Sequence, residues 1–168
     1  LLNSIMDVSE AETGTMRLKL EAVNLAKVIR EMMELYQYVA EDRDIVVSMD
    51  CSEDIHLTAD FIRMRQVIAN LLDNAIKYNR IHGRIMIRTR VEGNQAVVSF
   101  RDTGIGIPTE EIPQIWDRLY RGDKSRSQPG LGLGLSVVKA IVRAHRGDVE
   151  VSSELGVGSD FTIRLPVV

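Results

Sequence analysis

Residues 61–79 carry apolar side chains at Phe61, Met64, Ile68, Leu71, Leu72, Ala75 and Ile76, a spacing that lines one side of an α-helix. Such a stretch has to lie against a core, so the neighbouring elements must be built around it. The opposite side is polar: Arg63, Gln66, Asn70, Asn74 and Lys77. Asn70 and Asn74 lie only about 40° apart around the axis and share one face. Two carboxamides and a lysine placed this way can hold a hydrated magnesium ion and a row of phosphates, because amide oxygens are hard ligands and an ammonium is a phosphate donor. Taken alone, the same stripe is also that of an ordinary solvated helix face.

At 168 residues the chain is one domain, or one domain with a short appendage, and can bury a sizeable core. The net charge of −3 argues against non-specific nucleic-acid binding, which needs a basic footprint. Cys51 is the only cysteine, which excludes an intrachain disulfide and a cysteine-based zinc site. No apolar run approaches the ~20 residues of a membrane helix, and nothing resembles a secretory signal. The chain opens on Leu1-Leu2 without a methionine, which reads as a piece of a longer protein.

In chain order, Leu1, Leu2, Ile5 and Met6 read as the end of a helix stopping near Gly14, and residues 16–21 alternate as a short strand. Asn24 is placed to cap a helix whose apolar positions are Leu25, Val28, Ile29, Met32, Leu35 and Val39. Extended pieces come next at 45–49 and 56–58, and Asp60 can cap the amphipathic helix. Residues 84–91 and 95–101 read as a hairpin turning at Glu92-Gly93-Asn94. Pro108 and Pro113 leave room for no more than a single helical turn after the hairpin, and the polar residues 118–130 read as a mobile loop. A helix at 133–145 with its stop at Gly147, then strands at 149–153 and 160–165 turning at Gly156 and Gly158, close the chain. Adjacent strand pairs mixed with helices predict a two-layer α/β sandwich, not a doubly wound parallel sheet.

Two glycine clusters carry candidate chemistry. Asp102, Gly104, Gly106 and Ile107 belong to DTGIGIP at 102–108, directly after a predicted strand. Alternate glycines let the backbone approach a flat ligand, and a strand-end carboxylate can accept a hydrogen bond from an exocyclic amine such as that of adenine. A glycine turn with an aspartate cap would have the same composition. The second cluster, Gly130, Leu131, Gly132, Leu133, Gly134 and Leu135, leads into a helix whose free N–H groups favour anions. Neither cluster is a dinucleotide fingerprint, and no Walker A sequence occurs. Arg118, Arg121, Lys124 and Arg126 lie between them, as a solvated basic loop or as partners for a polyphosphate. His56, His82 and His145 have no metal-ligand spacing and read as surface or boundary residues.

Together these segments resemble the ATP-binding catalytic domain of bacterial sensor histidine kinases, whose nucleotide fold is shared with gyrase, Hsp90 and MutL. NLLDNAIKYN at 70–79 resembles the asparagine box, DTGIGIP at 102–108 the first glycine box, IWDRLYR at 115–121 the phenylalanine box and GLGLGL at 130–135 the second glycine box. The resemblance implies a Bergerat-type fold, a mixed and mostly antiparallel sheet on about three helices. It divides the chain into the tail of a dimerisation helix with its linker at 1–14 and the catalytic domain at 15–168. It implies ATP and magnesium as cofactors, with Asn70 and Asn74 on metal and phosphates, Lys77 on phosphate, and Tyr78 near the nucleotide. Asp102 would read the adenine amine beside Gly104, Gly106 and Ile107. Gly130, Leu131, Gly132, Leu133, Gly134 and Leu135 would form the lid hinge and phosphate-facing turn. Arg118 or Arg121 would approach the transferring phosphate.

The resemblance also implies a histidine-bearing dimerisation domain of the same kinase and a response regulator receiver domain as partners, a homodimeric full-length protein, and no nucleic acid. It makes this a cytoplasmic domain, compatible with anchoring of the longer protein in the inner membrane. Trp116 and Leu119 stand where the family usually has phenylalanines, and Leu131 where it often has a small polar residue. No histidine has the family's phosphoacceptor context, so the substrate histidine would lie outside this chain. An ATPase of the same fold and a non-catalytic nucleotide-sensing module are the competing readings.

Overall fold

The structure is a computed structural model and describes residue 10, residues 16–117 and residues 134–167. Strand β1 (Leu20–Asn24) leads into helix α1 (Leu25–Glu41), followed by β2 (Val46–Asp50) and β3 (His56–Asp60). Helix α2 (Phe61–Lys77), the hairpin β4 (Arg84–Glu92) and β5 (Gln95–Asp102), and a 3-10 turn (Thr109–Gln114) come next. Helix α3 (Gly134–Ala144) and the hairpin β6 (Asp148–Glu154) and β7 (Gly158–Pro166) complete the described residues.

Five strands form a sheet in the order β2-β4-β5-β7-β6, in which only β2 and β4 are parallel, while β1 and β3 pair separately. Ile85 and Ile87 of β4, Ala96, Val98 and Phe100 of β5, and Phe161, Ile163 and Leu165 of β7 are buried with the helices in one core. Between them Arg84, Arg88, Arg90 and Arg101 are exposed. This alternation is that of a sheet covered on one face. The two-layer sandwich and the mixed, mostly antiparallel sheet, packed among the described residues on helices α1, α2 and α3, are as the sequence predicts.

Both predicted caps are in place. Asn24 Oδ1 accepts from Lys27 N at 3.1 Å, and Asp60 Oδ1 accepts from Arg63 N at 3.0 Å. Each satisfies a helix-start N–H that would otherwise lack a partner. Asp60 Oδ2 also accepts from Lys19 N at 2.9 Å, which draws the chain ahead of β1 onto the start of α2.

The structure departs from the sequence reading in four places. The first strand lies at Leu20–Asn24 and not at 16–21, because its pairing with β3 runs from Leu20 opposite Asp60 to Asn24 opposite His56. Leu35 and Val39 are 61% and 48% exposed, since the buried stripe of α1 continues from Met32 through half-buried Tyr36 to Ala40, one residue or about 100° away. The left-handed residue after α3 is Arg146, at φ 61°, and not Gly147.

The fourth departure is His145, which is buried, whereas His56 and His82 are exposed as expected. Its Nδ1 donates to Ile141 O at 2.8 Å and its Nε2 accepts from Asp60 N at 3.0 Å, an arrangement only the neutral ring can make. Burial holds the imidazole below its ordinary pKa range. His145 thereby joins the end of α3 to the start of α2.

Candidate functional site

The polar face of α2 is half-buried, not fully solvated: Arg63, Gln66, Asn70, Asn74 and Lys77 all have intermediate exposure. Helix α3 begins beside it. A methyl group added at Gly134 would lie 3.9 Å from Asn70 Oδ1, so the start of α3 faces the asparagine box on α2. Lys77 Nζ makes an ion pair with Asp73 Oδ2 at 2.8 Å, one turn back on the same helix. Tyr36 of α1 lies near enough for the Asp73 charge to reinforce the burial that raises its hydroxyl pKa.

The C-terminal end of α2 is fixed by a residue that the sequence does not single out. The Arg43 guanidinium donates to the carbonyls of Ile76, of Lys77 at 2.9 Å and of Asn79 at 2.6 Å. Those oxygens lie at or just past a helix end, where carbonyls lack intrahelical donors and a cation opposes the helix dipole. Asn79 is buried and acts as a hub. Its Nδ2 donates to Arg84 O at 3.2 Å, while its Oδ1 accepts from Arg80 N at 2.8 Å and from Thr103 Oγ1 at 3.1 Å. The end of α2, the start of β4 and the first glycine loop therefore form one unit.

That loop is built on close approach. Ile105 N donates to Tyr78 O at 3.0 Å, and a Cβ at Gly104 would fall 2.3 Å from the same oxygen and 2.8 Å from Asp102 Oδ1. Only glycine fits there. Gly106 has φ 72° and turns the loop against β6, where Ile107 N donates to Ser153 Oγ at 2.8 Å. Arg80 reaches over the loop to Gly156 O in the β6–β7 turn.

Asp102 stands at the end of β5 beneath this loop. Its Oδ1 accepts from Gly104 N at 2.9 Å and Ser159 N at 3.2 Å, and its Oδ2 has no hydrogen-bond partner among the described residues. Burial pushes the carboxyl up to about 6, the Asp160 charge adds to this, and the two backbone donors oppose it. A carboxylate so placed presents one acceptor oxygen to a donor on a ligand.

The structure thus brings together Asn70, Asn74 and Lys77 on α2 with Tyr78 at its C-cap, Asp102 at the end of β5 with Gly104, Gly106 and Ile107 on the loop after it, and Gly134 and Leu135 at the start of α3. Arg118, Arg121, Gly130, Leu131, Gly132 and Leu133 lie outside the described residues. The Trp116 ring meets Phe161 edge to face, with centroids 6.0 Å apart, and the Lys139 ammonium sits 5.9 Å over it. Among the described residues no group of three or more His, Cys, Asp or Glu could hold a metal. A metal here would rest on amide oxygens and on its ligand's phosphates, which suits magnesium's habit of taking few protein donors.

Arg43, Asn79, Thr103, Ser153 and Ser159 have no role in the sequence reading; Asn79 and Thr103 fall inside its boxes without being singled out, and no motif marks the other three. Among the described residues no helix is long and apolar enough to cross a membrane.

A family model described as "Histidine kinase-, DNA gyrase B-, and HSP90-like ATPase" matches residues 59–168. The circadian input-output histidine kinase CikA of Synechococcus elongatus is 33% identical over 171 residues, covering 99% of this chain and 23% of that protein. The catalytic domain of histidine kinase ThkA, in a nucleotide-free form, superposes with a TM-score of 0.80 at 27% identity over 89% of this chain and 96% of that one. Full-length ShkA in complex with AMPPNP gives a TM-score of 0.86 at 26% identity, over 98% of this chain and 35% of that one. The chain spans between 23% and 36% of the length of the first curated relatives that it matches.

Proposed function

The chain belongs to the histidine kinase-, DNA gyrase B- and HSP90-like ATPase family, and from that premise we propose that it is the ATP-binding catalytic domain of a sensor histidine kinase. It transfers the γ-phosphoryl group of ATP to a histidine on a dimerisation domain outside this chain. The observation that carries the nucleotide assignment is Asp102, a carboxylate with Oδ1 committed to two backbone N–H groups and Oδ2 without a partner among the described residues. Oδ2 accepts from the exocyclic amine of adenine. Gly104, Gly106 and Ile107 shape the wall against the base, and Tyr78, whose carbonyl anchors that loop, packs near the nucleotide.

From the base, the phosphates run toward the polar face of α2. Asn70 and Asn74 would hold magnesium through their amide oxygens, and Lys77 would turn from Asp73 toward phosphate. Gly130, Leu131, Gly132, Leu133, Gly134 and Leu135 supply the lid hinge and the helix-start N–H groups, and Arg118 or Arg121 approaches the γ-phosphate. The chemistry that magnesium would supply there, when bound, is neutralisation of charge on the phosphate oxygens. The protein's remaining task is positioning: the imidazole nitrogen of the substrate histidine attacks the γ-phosphorus in line as the bond to the β–γ bridging oxygen breaks, and ADP leaves. An amide at Asn70 cannot act as a base toward water, which favours transfer over hydrolysis.

Residues 1–14 are read as the tail of the dimerisation helix with its linker, and 15–168 as the catalytic domain. The partners are the histidine-bearing domain of the same, homodimeric kinase and a response regulator receiver domain. The test is calorimetric titration with a non-hydrolysable ATP analogue, first with magnesium and then with chelator, followed by a separate reaction of the chain with ATP and a histidine-bearing domain, assayed for acid-labile phosphate. Magnesium-dependent binding and acid-labile transfer are the expected results. Absence of binding at millimolar analogue would remove the nucleotide assignment.

A further inference from the structure

We propose that Ser153 is a specificity-determining positioning residue, which keeps the Ser159 hydroxyl proton out of the base end of the site so that this end only accepts hydrogen bonds. Such a floor selects an aminopurine over an oxopurine. The inference rests on the nucleotide-site reading above and adds how the base is chosen.

Asp102 of β5, Ser159 of β7 and Ser153 of β6 form one cross-strand row, since Asp102 lies opposite Ser159 and Ser153 lies opposite Ser159 on its other side. Three groups surround Ser153 Oγ: Ile107 N at 2.8 Å, Gly158 O at 3.0 Å and Ser159 Oγ at 2.8 Å. A serine hydroxyl has one proton and two acceptor positions. Ile107 N–H can only donate, so it takes one acceptor position. Gly158 O can only accept, so it takes the proton. All three contacts are satisfied together in a single way, with Ser159 donating its own proton to the remaining acceptor position of Ser153.

The Ser159 oxygen is then left with acceptor capacity alone, on the residue paired across the strands with Asp102 and bonded to its Oδ1 through the backbone N–H at 3.2 Å, while Asp102 Oδ2 as a carboxylate oxygen also accepts. An adenine amine meets two acceptors. The carbonyl of hypoxanthine in the same place meets two oxygens and no donor, and an unpaired polar contact of this kind is what rejects a wrong ligand most strongly. With the Ser153 hydroxyl removed, the Ser159 proton loses its acceptor and is free to turn toward that carbonyl.

The experiment compares ADP and IDP binding to the whole 168-residue chain by calorimetry with magnesium present. The unaltered chain should prefer ADP, and Ser153→Ala should lower the ADP-to-IDP affinity ratio about tenfold. Loosening of the loop through the lost Ile107 contact weakens both nucleotides alike and cancels in the ratio. Ser153→Thr keeps the hydroxyl and should keep the ratio. Adding Ser159→Ala to Ser153→Ala removes the released proton and should restore most of it. If Ser153→Ala does not fold, Ser153→Cys, with a thiol that accepts poorly, should shift the ratio in the same direction.

An unchanged ratio in the Ala or Cys variant, or a double variant as relaxed as the single one, overturns the role of Ser153 while leaving the nucleotide site standing. An unaltered chain that binds both nucleotides equally does the same. If the unaltered chain binds neither, the underlying site assignment falls and the inference falls with it.

Discussion

Asp102 and His145 are both held away from their ordinary pKa, and their effects on stability run in opposite directions. Burial raises the Asp102 carboxyl to about 6, above the value of 3.8 it has when unfolded. The folded state therefore binds this proton more tightly, and the cost of its charge, present above pH 6, is relieved as pH falls from about 6 to 3.8. His145 is lowered, chiefly by burial, so its neutral contacts contribute fully above pH 6.5 and are lost as pH falls below it, where the unfolded chain takes up the proton first. The two partly cancel in the parent chain and separate in single variants. Asp102→Asn should melt at or above the parent temperature at pH 7, by up to ~2 kcal/mol, while losing adenine-nucleotide binding by a hundredfold or so as the acceptor oxygen is lost. Thermal melts and titrations at pH 7 check both, and a variant that binds ADP normally removes Asp102 from base recognition. His145→Leu leaves Asp60 N–H without its acceptor and should cost about 1–3 kcal/mol at pH 7, with a weaker loss of stability than the parent between pH 7 and 5.5. Denaturant unfolding across that range would reveal an unaltered pH slope if the assignment is wrong.

At the level of elements, what is legible in the sequence is what is encoded locally. Asn24 and Asp60 cap helices through hydrogen bonds to residues three further on, and the β4–β5 and β6–β7 hairpins turn within a few residues, so periodicity and turn chemistry locate them. The register of β1 depends on β3, some 36 residues later, and local alternation alone misplaces it. Arg43 is the extreme case: its contacts with the end of α2 lie 33 to 36 residues away, and a single arginine in a turn carries no periodic signal. Its fork spans three carbonyls, which an ammonium cannot copy. Arg43→Lys should therefore recover little of what Arg43→Ala loses, about 1.5–3 kcal/mol for charge-assisted hydrogen bonds of this kind. Amide exchange around residues 76–80 should accelerate in both variants, and nucleotide affinity should fall because Lys77 and Tyr78 sit on the released turn. Exchange that speeds up only elsewhere in the chain would show that α2 holds its end without Arg43.

Across the whole molecule, the site is more legible than its support, because the boxes lie in continuous stretches while the bonds that hold them cross the fold. Asn79 ties α2 to β4 and the glycine loop, Ser153 ties that loop to the last hairpin, and His145 ties α3 to the start of α2. The two ends of the proposed nucleotide site, Asp102 on the sheet and Asn70 beside Gly134 between two helices, are thus parts of one connected frame. A ligand that bridges them should stabilise both layers together. Binding adds RT ln(1 + [L]/Kd) to stability, about 2.7 kcal/mol at a hundred times Kd, so saturating ADP with magnesium should raise a single cooperative transition and slow amide exchange in α2, α3 and β5 alike. Asn74→Ala should lose the part of this gain that depends on magnesium, and chelator should then have no further effect. Adenosine without phosphates reaches only the base end, and should protect the loop after β5 while leaving α2 and α3 exchanging as in the free protein. Protection of the helices by adenosine alone would mean that the frame tightens as one body from either end, and the division of the site into a base end and a phosphate end would have to be given up.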